Sequence, residues 1–181
     1  MTYELIQIFE EQYSELYSLA YLLTGNADRS VEAFDRALEI EEPENPAFGE
    51  FMNSWARKLI VVEALGTIKS ELRVSKQRVA RAAEPEMPKN AKWNRRPHIP
   101  REEFEEAVVA IDAFPRCAML LTVFEGMSID AASLLLNENK ALIKKAQRIG
   151  LVQLTRNLAE DSGPDPYREP GRNPVPVLSL G

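Results

Sequence analysis

Four cations in the last third of the chain have the types and spacing of a phosphate-binding helix: Lys140, Lys144, Lys145 and Arg148. They fall in a segment where Leu142, Ile143, Ala146, Ile149 and Leu154 recur at helical spacing, so a helix there turns its apolar residues inward and its basic ones largely outward. Cations along one helix neutralise phosphates and release counterions. Lysine favours phosphate contact, because bidentate reading of a base edge needs the arginine fork. A second basic group, Lys69, Arg73, Lys76, Arg78 and Arg81, ends an earlier apolar-striped segment. Catalytic chemistry has no comparable grouping. The single cysteine, Cys117, has no histidine near it in sequence, and the only histidine, His98, lies in a proline-flanked loop. One Cys and one His do not make a zinc site, and no glycine-rich phosphate loop occurs. The expectation is a protein that is not an enzyme and uses no metal, cofactor or small-molecule substrate.

The elements that must hold the first basic group are short. Pro115 fits a first helical turn, where its missing N–H costs nothing. Met119, Leu120, Val123 and Phe124 give the following helix an apolar face, and Gly126 stops it. Ser128 is placed to cap a second helix whose inner face is Ala132, Leu135 and Leu136. Asn137-Glu138-Asn139 is a polar break, with Asn137 in a left-handed position that asparagine tolerates. Two short helices, a tight turn and a basic helix make a helix-turn-helix. A small helical bundle with a solvated basic face has the same pattern, and spacing alone leaves both readings open.

The whole chain reads as all-α: its 181 residues carry helical stripes and no alternating runs. Helices are predicted over 3–24, 28–41, 48–82 with a break near Gly66, and from 101 onward. Val31, Phe34 and Leu38 mark the inner face of the second; Phe51, Trp55, Leu59, Val62, Leu65 and Leu72 mark that of the third. Two small helical domains are expected, 1–83 and 101–160. A basic linker over 84–100 joins them; its prolines at 85, 88, 97 and 100 forbid a helix, and Trp93 pins it to a domain or partner. The tail, 161–181, is proline-rich and irregular by composition. The net charge of −6 is unevenly spread: residues 1–56 hold 12 acidic and 2 basic side chains, whereas residues 57–101 hold 12 Lys or Arg and 4 Glu. Neither a signal peptide nor a membrane-length apolar run is visible, which predicts a cytoplasmic protein without a membrane partner.

The segment Phe114–Leu136 resembles the start of region 4 in bacterial RNA polymerase sigma factors of the extracytoplasmic-function type. Glu125-Gly126-Met127-Ser128 stands where that family has Glu-Gly-Leu-Ser, Leu135-Leu136-Asn137 where it has Ile-Leu-Gly, and Ala141-Leu142-Ile143-Lys144 where it has Gly-Thr-Val-Lys. Tyr17–Asn26, ending Thr-Gly-Asn, is similar to the first helix of sigma region 2, and Phe34-Asp35-Arg36-Ala37 keeps the Phe-x-Arg-Ala of its clamp-binding helix. The resemblance implies a region 2-like domain, a linker and a region 4-like helix-turn-helix domain. It implies that Glu32, Asp35, Arg36 and Glu39 meet core RNA polymerase. Lys69, Arg73, Lys76, Arg78 and Arg81 would touch the −10 promoter element, and Lys140, Lys144, Lys145 and Arg148 the −35 element. An anti-sigma or other regulatory protein is a further implied partner. The family usually continues its recognition helix with several arginines, where this chain has Lys145-Ala146-Gln147-Arg148-Ile149-Gly150. That departure favours an alternative: a sigma-derived regulator that has lost promoter recognition and works through protein–protein contacts.

Overall fold

The structure, a computed structural model, describes residues 9–40, 49–86 and 99–160, and among them all regular structure is helical. The elements are α1 (Tyr13–Thr24), α2 (Ala27–Glu39), α3 (Gly49–Thr67), α4 (Lys69–Arg81), α5 (Arg101–Val109), α6 (Ala113–Met119), α7 (Ile129–Leu135) and α8 (Lys140–Glu160). A single π-helical turn, Leu120–Phe124, continues α6. No helix among the described residues is long and apolar enough to cross a membrane. The side chain of Phe51, the stretch of linker that holds Trp93, and the 161–181 tail lie outside the described residues.

Local chemistry sets most of the boundaries. Gly25 takes φ +67° and donates its N–H to Tyr21 O at 2.7 Å, which closes α1. Asn26 then caps α2, its Oδ1 accepting from Arg29 N at 3.1 Å. The break between α3 and α4 falls at Ile68, two residues beyond Gly66, and Ile68 is fully buried at the joint. Gly126 and Asn137 take positive φ, and Ser128 Oγ accepts from Ala131 N at 3.1 Å, as their residue types predict.

Helices α1, α2 and α3 pack against one another. Leu16, Leu19, Leu23, Phe34 and Ile60 fill their centre, and Ala33, Ala37, Ala56 and Ala64, all with no exposed surface, let the helices come close. Burying each of the large side chains contributes about 1.5–3 kcal/mol. Val31 does not join them. It follows the fully buried Ser30, and one residue turns about 100° round the helix. Val62 is likewise half exposed, because the buried stripe of α3 runs through Ile60, Val61, Ala64 and Leu65.

Helix α6 is the keel of the second half. All seven of its residues are buried, between α4 on one side and α8 on the other. Its N-terminus is capped from two directions: Asp112 Oδ1 accepts from Ala113 N at 3.1 Å, and Ser75 Oγ, on α4, accepts from Phe114 N at 2.9 Å. Gly150 lies where α8 crosses α6. A Cβ there would stand 2.7 Å from Pro115 O and 2.9 Å from Met119 Cβ, so the glycine permits the crossing rather than merely weakening a helix. The π turn moves the register, and Val123 and Phe124 emerge half exposed instead of continuing the inner face.

Arg116 ties the two halves together. Its side chain is buried, and Nη1 donates to Val109 O at 2.8 Å and Ile111 O at 3.0 Å. Nη2 donates to Leu23 O at 3.3 Å and Thr24 O at 3.0 Å, the carbonyls at the end of α1. The guanidinium fills the space beside Gly25, where a Cβ would lie 2.8 Å from Nη1. Arg57 and Glu125 add a two-point bridge from α3 at 2.5 and 2.8 Å, and this hydrogen bonding holds the Arg57 guanidinium above its ordinary pKa.

Candidate nucleic-acid interface

Where spacing predicts a helix-turn-helix, α7, a turn over 136–139 and α8 follow one another. Asn139 Oδ1 accepts from Leu142 N at 2.9 Å and opens α8 with a side-chain cap. Ile143 and Ala146 are fully buried, which fixes the rotation of α8 about its axis. That rotation leaves Lys140, Ala141, Lys144 and Arg148 exposed on one face. Lys140 pairs with Asp130 at 2.5 Å across the surface, and no ion pair joins Lys144 to a described residue.

Lys145 goes elsewhere. It leans off that face toward the C-terminal end of α4, where its Nζ donates to Ala82 O at 2.6 Å and Ala80 O at 3.4 Å. A cation at the last carbonyls of a helix is favourable for the helix dipole. Arg148 Nη1 stands 3.4 Å from Glu84 Oε2, with its side chain 62% exposed.

The second basic set divides. Lys76 Nζ meets Glu138 Oε1, in the turn before α8, at 2.6 Å. Arg78 grips Asp112 with two bonds of 2.9 and 2.7 Å and ties α4 to the start of α6. Lys69, Arg73 and Arg81 are exposed, and no ion pair joins them to a described residue. The structure therefore brings part of each basic set to one place. A hollow of about 520 Å³ between the end of α4 and the start of α8 is lined by Lys76, Ala80, Glu84, Glu138, Asn139 and Lys145. Spacing had not pointed to Glu84 or Glu138. Their only signal was a carboxylate standing in a turn or just past a helix, beside basic residues.

Glu32, Asp35, Arg36 and Glu39 are all on the solvent face of α2, with Glu32 and Arg36 paired at 2.5 Å. Arg29 bridges from α2 to Glu71 on α4. A larger hollow, about 730 Å³, lies between α3 and α7, with Val61, Val62, Met127, Ala131 and Leu134 in its wall. Leu134 is 83% exposed there. Cys117 is fully buried on α6, and burial pushes its thiol up to about 12, so it is no nucleophile in the folded chain.

Among the described residues the chain is all-helical, and α8 bears an open basic face. Compared with protein-family models, with curated proteins and with solved structures, the chain matches none.

Proposed function

We propose that this chain is a sigma-like transcription initiation factor, in which α1–α4 bind core RNA polymerase and the α7–α8 unit meets promoter DNA. The observation that carries the reading is the exposed row Lys140, Lys144 and Arg148, one turn apart on the second helix of a helix-turn-helix. In this reading the acidic face of α2, with Glu32, Asp35, Arg36 and Glu39, grips the polymerase. Lys69, Arg73, Lys76, Arg78 and Arg81 serve the −10 element, and Lys140, Lys144, Lys145 and Arg148 the −35 element. The domains are 1–83 and 101–160, and the site of action is the cytoplasm.

The hollow between α3 and α7 favours a second reading. An aliphatic groove with Leu134 83% exposed offers a protein more than it offers a nucleic acid. In that reading the chain is a sigma-derived regulator acting through protein contacts, and an anti-sigma-type partner would suit the same groove.

The test is retention of the tagged chain on core RNA polymerase, followed by open-complex formation on promoter DNA. The first reading expects both. Retention without an open complex on any promoter supports the second reading, and no retention removes the first.

A further inference from the structure

We infer that the hollow between α4 and α8 is a single composite cleft for a DNA phosphodiester segment, and that Glu84 and Glu138 occupy the phosphate positions until DNA displaces them. The inference rests on the reading that this chain binds DNA, and it moves Lys76 from the −10 contacts to the segment that Lys145 meets. It starts from a juxtaposition that spacing does not reveal: Lys76, from the first basic set, and Lys145, from the second, line the same cavity of about 520 Å³. Like charges brought together need anionic oxygen between or beside them. Two carboxylates provide it. Glu138 Oε1 lies 2.6 Å from Lys76 Nζ, and Glu84 Oε2 lies 3.4 Å from Arg148 Nη1.

A carboxylate and a phosphodiester present the same feature to an ammonium or guanidinium group: charged oxygens that accept N–H bonds. The two internal pairs are built to yield unequally. Glu84 and Arg148 are both more than 60% exposed and meet at long range, so their pairing is weak. Glu138 and Lys76 are both under 30% exposed and closer, so this pair holds the cleft until the other has opened. Lys145 lines the same hollow and, among the described residues, bonds backbone carbonyls at 2.6 and 3.4 Å. DNA arriving at the open Lys144 face reaches Arg148 first and then the cleft. Exchange of a carboxylate for a phosphate releases counterions from the DNA, which drives the displacement.

The experiment is fluorescence anisotropy with a labelled duplex oligonucleotide across a salt series. It compares the full chain, the Glu84→Gln/Glu138→Gln variant, and a control, Glu102→Gln/Glu106→Gln. The control removes the same charge from the exposed surface of α5. The cleft variant should bind at least about fivefold tighter than the control, with a salt slope steeper by about one unit per freed cation. Adding Lys76→Gln and Lys145→Gln to it should abolish the gain. Equal affinity of cleft variant and control overturns the cleft while leaving DNA binding intact. Absence of binding by every form at low salt overturns the cleft together with the DNA reading, and retention on polymerase then judges the rest of that reading separately.

Discussion

Arg116 and Arg148 both reach across from the second half of the chain to the first, and they do opposite things. Arg116 is 5% exposed and donates to four backbone carbonyls, two of them at the end of α1. Arg148 is 62% exposed and touches one carboxylate at 3.4 Å. Out of water, a guanidinium with most of its donors satisfied is expensive to disturb, and the only unsatisfied atom there is Nε. In water, the same group exchanges partners freely. The α6 seam is thus built to stay shut, and the α8 face is built to trade contacts. Residue type alone does not separate a structural cation from a binding one; desolvation does.

The comparison breaks most readily at Arg116. Arg116→Met removes the donors from four carbonyls, leaving Leu23 O only the Cys117 thiol at 3.5 Å, and should cost about 3–5 kcal/mol in a denaturant titration; a loss below about 1 kcal/mol would show that the seam is not held there. Gly150→Ala comes next. The new Cβ gains about 1 kcal/mol of helix propensity and loses about 1–3 kcal/mol to overpacking against Pro115 and Met119. A net fall in stability of about 1 kcal/mol is expected by thermal melting, and a rise would mean that α8 can slide off α6. Cys117 reports on the same seam without a substitution. With its thiol raised to about 12 from an ordinary 9.0, its contribution to stability is whole below about pH 9 and is lost as pH climbs toward 12. At neutral pH the native chain should resist a disulfide-exchange reagent, and Arg116→Met should label faster. The smallest stability effect belongs to the open face. Lys144→Ala and Arg148→Ala should each change stability by less than about 1 kcal/mol. Both should weaken duplex DNA binding and flatten its salt dependence by about one unit each.

Local devices were legible in the residues. Gly25, Gly126, Ser128 and Asn137 each mark a boundary because one residue's φ or one side-chain oxygen decides it. The outward position of Lys140 and Lys144 was legible for the same reason, since helical period alone places them. What escaped depends on pairs distant in sequence. Arg116 and Thr24 are 92 positions apart, and Lys145 and Ala82 are 63 apart. No periodicity encodes either meeting. Gly150 carries an intrinsic helix cost in sequence, and only the close crossing of α6 shows what it admits. Val123 and Phe124 were placed by an unbroken α-helical count, which one π turn invalidates. The carboxylates of the cleft escaped because an acidic residue in a turn usually signals nothing beyond solubility.

The empty side of Gly25 carries a consequence for substitution. With φ +67° and the guanidinium 2.8 Å from where a first carbon would stand, a side chain at position 25 is strained by its own backbone and must displace an arginine held by four carbonyls. A smaller residue at 116 does not leave the end of α1 satisfied. The two sites are one unit. A substitution at 25 should cost less stability in a chain where 116 has also been changed than in one that keeps Arg116.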